Sequence, residues 1–304
     1  MHNDTLSPES WGWRQDFLSS WAALTDAAPH LRALIPARVT GRERHLYEIV
    51  CPDFRGRSMV EGAPEMIGRF GNVRVSGRFE HGATEDADFP VVGDWALVDG
   101  DANAPRIQAI LPRRSSLSRT NAGNTSDEQA LASNIDAIFL VFALDGGRNF
   151  LLRFLERALV VARNSGASCY IVLNKVDLAT DEERDRALDD ARRAAPGVNV
   201  VALSAKTGEG VEGLRSLLSP GETACMLGKS GVGKSALVNV LSMSAAASLT
   251  PASLTPASLT PASLTPGSIT PASLLPAKEG AVRDDDLRGR HTTTSSHLYR
   301  LDSG

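Results

Sequence analysis

The octapeptide GKSGVGKS at positions 228–235 constrains this chain more than any other feature. It matches G-x-x-x-x-G-K-[ST], the P-loop that binds phosphate groups. The apolar stretch from Glu222 to Leu227 predicts a strand before it, and the stretch from Ser235 to Met243 predicts a helix after it. A glycine turn between a strand and a helix directs backbone N–H groups and the positive end of the helix dipole at a phosphate. These flanks favour a nucleoside-phosphate site over a glycine-rich turn that arose by chance.

Two side chains of this motif are candidates for chemistry. Lys234 is expected to reach the β- and γ-phosphates, which makes it a candidate catalytic residue, and the Ser235 hydroxyl is expected to bind Mg²⁺. Glycine is expected wherever a Cβ would block the approach of the backbone to the phosphates. The predicted nucleotide-binding residues of this stretch are Gly228, Lys229, Ser230, Gly231, Val232, Gly233, Lys234, Ser235 and Ala236.

Length and composition limit the classes of protein that this chain can belong to. Its 304 residues are 42% hydrophobic and 22% charged, which is typical of a globular protein with about two domains. There is no apolar run long enough to span a bilayer and no basic-then-apolar N-terminus, so we expect a cytoplasmic protein without a membrane partner. Three scattered cysteines predict neither a disulfide framework nor a zinc site. A net charge of −4 gives no overall attraction to nucleic acids.

Residues 31–112 are predicted to form an all-β domain. Five short β-like runs favour a small barrel of the OB-fold type. The runs are Ala37–Val39, His45–Val50, Val73–Arg78, Asp94–Val98 and Arg106–Ile110. The arginines that could line an RNA-facing surface are Arg38, Arg42, Arg44, Arg55, Arg57, Arg69, Arg74 and Arg78. An RNA-binding face and a mixed, solvated surface both stay open, because acidic residues are nearly as numerous.

The segments on either side of the predicted barrel each allow two interpretations. Residues 1–30 predict an N-terminal helical extension, because their large apolar residues partly follow helical spacing. These residues are Trp11, Trp13, Phe17, Trp21 and Leu24. The helix either packs on the next domain or docks a partner. The polar stretch Pro112–Gln129, with three arginines among its serines, is either a linker (113–130) or a basic contact strip.

From residue 131 to residue 304 the pattern changes to strands that alternate with helices. Besides the strand before the P-loop, strands are predicted at Ile135–Leu144, Cys169–Leu173 and Asn199–Leu203. Helices are predicted at Phe150–Asn164, Asp181–Ala195 and Val211–Leu218. Strands that are apolar throughout favour a doubly wound parallel sheet with helices on both faces. The predicted fold class is therefore α/β together with all-β.

Two short motifs follow neighbouring strands of this predicted sheet. The motif NKVD follows the second strand, and the motif SAK follows the third. Ligands bind at the carboxyl ends of strands in such sheets. The predicted base-binding residues are Asn174, Lys175, Val176, Asp177, Ser204, Ala205 and Lys206.

The chemistry of these two motifs suits guanine. The Asp177 carboxylate can accept from the paired N1–H and N2–H donors of guanine, which adenine lacks. A backbone N–H near Ala205 and the Asn174 amide suit the O6 and N7 acceptors, while the Lys175 stem can lie over the ring. Either motif alone is typical of an ordinary turn. Together with the P-loop they predict that the chain binds GTP or GDP.

The order of the motifs is reversed relative to ordinary GTPases, since the guanine motifs precede the P-loop, and this indicates a circularly permuted domain. The sequence resembles the RsgA (YjeQ) family of circularly permuted GTPases that depend on the small ribosomal subunit. Besides the three nucleotide motifs, the matching stretches are Val91–Trp95 (VVGDW), Leu111–Ser116 (LPRRSS) and Arg288–Thr294 (RGRHTTT). Their order and spacing match from about residue 30 to residue 303, apart from one insertion.

This resemblance implies a function and further site residues. It implies GTP hydrolysis during late assembly of the 30S subunit, and an OB-fold that binds ribosomal RNA, here taken as 16S rRNA. It implies that one threonine of Thr292–Thr294, here taken as Thr293, belongs to switch I and contacts Mg²⁺ and the γ-phosphate. His291 is either placed to approach the attacking water or is a loop histidine without a catalytic task. We expect the protein to be a monomer.

Two stretches depart from the family. Residues 248–277 are six units of a five-residue repeat, Ser-Leu-Thr-Pro-Ala with small variations, which its prolines predict to be extended or disordered. The repeat is either an expansion in a tolerated loop or a binding element. The family also continues past the equivalent of Gly304 into a strand ending in D-T-P-G and a zinc-binding domain. The predicted parallel sheet is accordingly incomplete, with an apolar edge at the P-loop strand and a further strand at His297–Leu301.

Three functions stay open on these grounds. The first is a GTPase that acts in ribosome assembly. The second is a truncated, hydrolysis-impaired module that binds guanine nucleotide and rRNA, because a missing D-x-x-G would remove contacts to Mg²⁺ and the γ-phosphate. The third, an ATP-driven kinase or transport motor, is disfavoured by Asp177.

Overall fold

A barrel and a parallel sheet are both present in the computed structural model of the protein. The structure describes residues 6–55, 66–101, 103–120, 128–146, 152–242, 296–299 and 301. The repeat at 248–277 lies outside these described residues. Within the described part of the chain, no helix is both long and apolar enough to cross a membrane.

Five strands in the first part of the chain close into a barrel. They are β1 (Ile35–Glu43), β2 (Leu46–Cys51), β3 (Gly68–Val75), β4 (Trp95–Val98) and β5 (Arg106–Ile110). Their order is β1-β2-β3-β5-β4, and β4 pairs with β1 to close the barrel. Only the pair β3–β5 is parallel among these five. Buried apolar side chains from every strand fill the interior, and the predicted five-stranded barrel is confirmed.

One of the predicted barrel strands is partly wrong. The sequence predicts a strand over Val73–Arg78, but β3 ends at Val75 and helix α2 (Gly77–Gly82) follows. Ser76 accounts for the change, because its Oγ accepts a hydrogen bond from the N–H of Phe79, 3.2 Å away, and so caps the helix. Arg78 therefore lies exposed on a short helix and not on the barrel wall.

The N-terminal segment packs against the barrel. Helix α1 (Gln15–Ala27) buries Phe17 and Trp21. The ring of Trp13, just before the helix, lies 4.7 Å from that of Trp95 in β4, at an interplanar angle of 84°. Edge-to-face contacts of this kind stabilise a fold beyond the area that they bury. Of the two interpretations of this segment, the structure shows the packing helix.

The polar stretch after the barrel, predicted to be a linker or a basic contact strip, contains two strands. Strands β6 (Ser116–Thr120) and β7 (Glu128–Ser133) form an antiparallel pair. Leu117 is buried in the core of the parallel sheet, while the N–H of Ser133 donates to the carbonyl oxygen of Val92, 3.0 Å away, next to the barrel. The pair therefore connects the two parts of the fold. Its serine-rich strands carry no clear hydrophobic alternation, which is why the sequence did not indicate them.

The second part of the chain forms a four-stranded parallel sheet. Its strands are β8 (Ala137–Ala143), β9 (Ser168–Asn174), β10 (Asn199–Ala202) and β11 (Ala224–Leu227), in the order β10-β9-β8-β11. The helices between and after them are α3 (Leu152–Asn164), α4 (Asp181–Ala194), α5 (Val211–Arg215) and α6 (Lys234–Ser242). Alternate residues of β8 belong to two buried clusters, one under α3 and α4 and the other under α5 and α6. The doubly wound parallel sheet is confirmed.

A short last strand lies elsewhere than predicted. The sequence places a strand at His297–Leu301 in the parallel sheet, but β12 (Ser296–His297) pairs antiparallel with β1 of the barrel. The N–H of Leu298 also donates to the carbonyl oxygen of Thr40, 2.7 Å away. This edge of β1 accepts a strand because β4 pairs only with its first part, Ile35–Arg38.

Candidate functional site

The P-loop lies between β11 and α6, and its glycines are required by its surroundings. The backbone φ is 80° at Gly231 and 96° at Gly233, a left-handed region that other residues rarely adopt. A Cβ on Gly228 would lie under 3.0 Å from the carbonyl oxygen of Val141 in β8. A Cβ on Gly233 would lie under 3.0 Å from the Asn174 side-chain amide. The loop is therefore packed against its own sheet at two points.

Lys234 turns back over the loop. Its Nζ donates to the carbonyl oxygens of Gly228 and Lys229, each 2.8 Å away. Burial lowers the pKa of Lys234, because a charged amine is less stable away from water. Ser235 and Ala236 follow in the first turn of α6 and are half-buried. A phosphate in this loop would meet the ammonium group and the helix N-terminus together.

Asn174, at the end of β9, joins the P-loop to the second guanine motif. Its side chain is buried, with 1% exposed. The Nδ2 donates to the carbonyl oxygen of Val232 at 2.8 Å, and the Oδ1 accepts from the N–H of Ala205 at 3.0 Å. The N–H that the sequence assigns to guanine O6 thus has a partner within the protein. One amide holds the segments that follow β9, β10 and β11 at a common edge.

Asp177 stands three residues further on, beside the second motif. Its Oδ1 accepts from the Ser204 hydroxyl at 2.6 Å, and its Oδ2 lies 4.0 Å from the Nζ of Lys206. The Asp177 side chain is 14% exposed, whereas that of Lys206 is 79% exposed. The Ser204 hydroxyl also accepts from the N–H of Thr207 at 3.1 Å, which fixes its position. Ser204 therefore orients the carboxylate while Oδ2 faces a solvated, loosely held lysine.

The two residues between Asn174 and Asp177 differ in environment. Lys175 adopts a left-handed φ of 65°, and its Nζ donates to Asp145 Oδ2 at 3.3 Å, just beyond the end of β8. Val176 is buried in the core on the side of α4, so its side chain anchors the turn. All residues predicted for the base thus come to the same sheet edge as the P-loop. Two other predicted site residues, His291 and Thr293, lie outside the described residues.

Several arginines predicted to face RNA are engaged within the protein. Arg38 is 1% exposed, so its predicted place on an RNA-facing surface is wrong. Arg42 pairs with Asp86 at 3.1 Å. Arg38 is covered because β1 has the barrel interior on one side and the parallel sheet on the other. The exposed members of the predicted set are Arg44, Arg55, Arg69, Arg74 and Arg78, and Arg57 lies outside the described residues.

A partly buried polar cluster lies at the opposite, amino edge of the parallel sheet, and the sequence did not indicate it. We call it the junction cluster; its members are Arg14, Arg38, Arg114, Asp136 and Thr223. The Asp136 carboxylate accepts from Arg14 at 2.9 and 3.1 Å, from Arg114 at 3.3 Å and from the N–H of Thr223 at 2.9 Å. Arg38 donates to the Thr223 hydroxyl at 3.0 Å. A single charge directly before an apolar strand, Asp136, is the one hint of this cluster in the sequence.

Comparisons with known proteins identify a family of related GTPases. A sequence model of the RsgA GTPase family matches residues 110–304. A small ribosomal subunit biogenesis GTPase, RsgA 2 of Lactiplantibacillus plantarum, is 37% identical over 236 residues, which cover 77% of this chain and 56% of that protein. RsgA of Streptomyces coelicolor, described in the same words, is 32% identical over 312 residues, which cover 100% of this chain and 68% of that protein.

The chain is shorter than these relatives. The match covers 56% of the length of the Lactiplantibacillus plantarum protein and 68% of the length of the Streptomyces coelicolor protein. Among solved structures, the crystal structure of YjeQ from Thermotoga maritima matches with a TM-score of 0.49 and 24% sequence identity, over 68% of this chain and 64% of that one.

Proposed function

The chain belongs to the RsgA GTPase family, and on that premise we propose that it binds GTP and GDP and hydrolyses GTP in the biogenesis of the small ribosomal subunit. The observation that carries the proposal is the buried Asn174 amide, which bonds to Val232 at 2.8 Å and to Ala205 at 3.0 Å. It holds the P-loop and both guanine motifs at the edge where ligands bind in parallel sheets. The names of the relatives describe the same activity.

Guanine is assigned to Asp177. Its carboxylate is oriented by the Ser204 hydroxyl at 2.6 Å, which leaves Oδ2 for the N1–H and N2–H donors of the base. Lys206 lies 4.0 Å from Oδ2 and is largely solvated, so a base can take its place at little cost. Adenine presents no such donor pair, and this difference supports GTP over ATP.

The phosphates are assigned to the P-loop and to Lys234. The Ser235 hydroxyl, in the first turn of α6, is a hard oxygen ligand that suits Mg²⁺. A Mg²⁺ ion held there would supply positive charge that offsets the negative charge developing on the phosphates during transfer. Lys234 offers its ammonium to the same phosphates. We assign Thr293 as a second ligand and His291 as the group that approaches the attacking water.

The barrel is assigned to 16S rRNA of the 30S subunit. Arg74 of β3 and Arg106 of β5 are register partners, and both are exposed. Like charges directly opposite one another are unfavourable in a sheet, and an RNA phosphate backbone would offset that repulsion. The proposed location is the cytoplasm, where ribosomes assemble, and the proposed state is a monomer. The proposed division of the chain is an N-terminal extension (1–30), a barrel domain (31–112), a connector (113–130) and a GTPase domain (131–304).

The experiment that tests this proposal is GTP turnover by the full chain with and without purified 30S subunits. We expect phosphate release that the subunits stimulate, and release that is lost in Lys234→Ala both with and without subunits. The Lys234→Ala control excludes a contaminating GTPase. GTP binding without stimulated turnover would overturn the proposed role in subunit biogenesis.

A further inference from the structure

The start of the P-loop strand, β11, is held in place through Thr223. Thr223 directly precedes β11, and β11 runs only from Ala224 to Leu227 before the P-loop begins. The N–H of Thr223 donates to Asp136 Oδ2 at 2.9 Å, and its carbonyl oxygen accepts from the N–H of Asp136 at 2.8 Å. The start of β11 is thus bonded on both backbone groups to the residue just before β8.

The barrel reaches the same point through Arg38. Its Nη2 donates to the Thr223 hydroxyl at 3.0 Å, and its guanidinium lies 5.4 Å from the ring centre of Trp95. Burial lowers the pKa of Arg38 to about 10, while Asp94 and Asp136 act in the opposite direction, so the group is charged at neutral pH. The other acceptor of Arg38, the carbonyl oxygen of Asn134, lies 3.5 Å away, and its Nε has no partner among the described residues, so the bond to the Thr223 hydroxyl is the shortest hydrogen bond of a buried charge that needs its partners.

The N-terminal segment adds two further restraints. Arg14 donates hydrogen bonds to both carboxylate oxygens of Asp136, at 2.9 and 3.1 Å, and to the carbonyl oxygen of Gly221, at 3.2 Å. A Cβ on Gly221 would lie under 3.0 Å from the carbonyl oxygen of Glu9, so the turn before β11 is in close contact with the N-terminus. Three parts of the chain therefore converge on the start of a single strand.

These contacts at Thr223 matter for the nucleotide site because β11 is an edge strand of the described sheet. Among the described residues it pairs with β8 alone, at the edge of the sheet. Gly228 directly follows its last residue and lies so close to β8 that a Cβ on it would come under 3.0 Å from the carbonyl oxygen of Val141. Only the four residues of β11 separate Thr223 from Gly228, the first residue of the loop.

We propose that Arg38 and Asp136 are positioning residues for the P-loop, which act through Thr223 so that the barrel and the N-terminal segment hold the nucleotide site in place. The inference rests on the proposed guanine-nucleotide binding. It gives the barrel a role at the nucleotide site that does not depend on any RNA. It also explains why an arginine is buried between two parts of the fold.

The test uses the Thr223 hydroxyl in the full chain. Thr223→Val keeps the shape of the side chain and removes the acceptor of Arg38, whereas Thr223→Ser keeps the acceptor. Calorimetric titration with GDP should show a dissociation constant about tenfold higher for Thr223→Val, because a small displacement of the loop weakens several phosphate contacts at once. Thr223→Ser should bind GDP within about twofold of the wild type.

A double-mutant cycle separates positioning from general damage. Arg38→Met should weaken GDP binding as Thr223→Val does, and the double variant should bind about as weakly as Arg38→Met alone, since both changes remove one interaction. Val98→Ala, in the barrel core away from Thr223, should lower the unfolding temperature without changing GDP affinity. Val98→Ala is therefore the control for a merely structural effect.

The outcomes distinguish this inference from the proposed function. If the wild type binds GDP and Thr223→Val binds it equally well, the inference is wrong and the proposed function stands. If Val98→Ala weakens GDP binding as much as Thr223→Val, the effect is one of stability and the inference is also wrong. If the wild type binds no GDP, the proposed function fails, and the inference fails with it.

Discussion

The two edges of the parallel sheet are lined by different kinds of residue. At the carboxyl edge, glycines, four lysines and short polar side chains surround the site, and they come from three contiguous stretches: 174–177, 204–206 and 228–236. At the amino edge, three arginines and one aspartate of the junction cluster surround Thr223, with Arg38 fully buried and Arg14 and Arg114 about one-third exposed. Those residues come from segments spread between positions 14 and 223.

The difference shows how each edge contributes: the carboxyl edge supplies the groups that meet the ligand, and the amino edge holds in place the strands that carry those groups. A ligand site needs groups that water and ligand can reach, so Lys206 stays largely solvated, while hydrogen bonds of Asn174 and Ser204 hold the loops in place. The junction cluster needs no access, and its buried charges are worth most when all of them are paired. Changes at the amino edge should therefore reduce the free energy of unfolding first. Changes at the carboxyl edge should reduce GDP affinity and leave the fold intact.

The largest effect is expected from Asp136→Ala at the amino edge. It leaves Arg14, Arg114 and the N–H of Thr223 without their shared acceptor. The free energy of unfolding, measured by urea titration, should fall by about 3 kcal/mol, because the two arginines keep partial contact with water. Asp189→Ala is the matched control, because Asp189 pairs with Arg192 while both are more than 60% exposed, and it should cost at most about 0.5 kcal/mol. Equal losses in the two variants would contradict the comparison.

Gly233→Ala at the carboxyl edge should mainly affect binding. Its φ of 96° and its contact with Asn174 leave no place for a Cβ, so the loop must move. GDP affinity, measured by calorimetry, should fall at least about 100-fold, or about 2.8 kcal/mol. In the control Gly213→Ala, the new Cβ on helix α5 meets no atom within 4 Å, and GDP affinity should stay unchanged. A Gly233→Ala variant that binds GDP normally would place the nucleotide elsewhere.

Asp177→Asn tests whether the carboxyl edge contacts the base, because it should change which base is bound. An asparagine amide can donate to the C2 carbonyl of xanthine but repels the N2–H donors of guanine. Affinity for GDP should fall about 10- to 100-fold, and affinity for xanthosine diphosphate should rise. Both are read from competition with a fluorescent nucleotide. Loss of GDP binding without any gain for xanthosine diphosphate would mean that Asp177 supports the loop and does not contact the base.

The smallest effect is expected from Thr180→Ala, which lies next to the site without belonging to it. Thr180 caps helix α4, with its hydroxyl accepting from the N–H of Glu183 at 3.3 Å. Removing the cap should cost about 1 kcal/mol in the free energy of unfolding, measured by urea titration. GDP affinity should stay within about twofold. A large loss of affinity would show that stability and binding are not separable at the carboxyl edge.

The carboxyl edge was predictable because each of its motifs is contiguous. The chemistry of a P-loop fixes which residue types stand next to one another, and strand-turn-helix flanks confirm the context. The parallel sheet followed from apolar strands alternating with helices, and the barrel followed from five short runs. The fold class and the place of the nucleotide motifs were therefore within reach of the sequence.

The amino edge was not predictable because its contacts are long-range. Arg38 and Thr223 are 185 positions apart, and an arginine on a strand is ordinarily exposed. The strand pair β6–β7 was not predicted, because its residues show no clear alternation of hydrophobic and polar side chains. The strand β12 was misplaced because pairing partners depend on which strand edge is available, and that is a property of the folded barrel.

The most direct test of the account is a calorimetric titration of the full chain with GDP and, separately, with ADP. We expect one site per chain that prefers GDP by at least about 100-fold, because adenine lacks the paired N1–H and N2–H donors that the Asp177 carboxylate accepts. Equal affinity for the two nucleotides, or binding of neither, would contradict the assignment of the carboxyl edge as a guanine-nucleotide site.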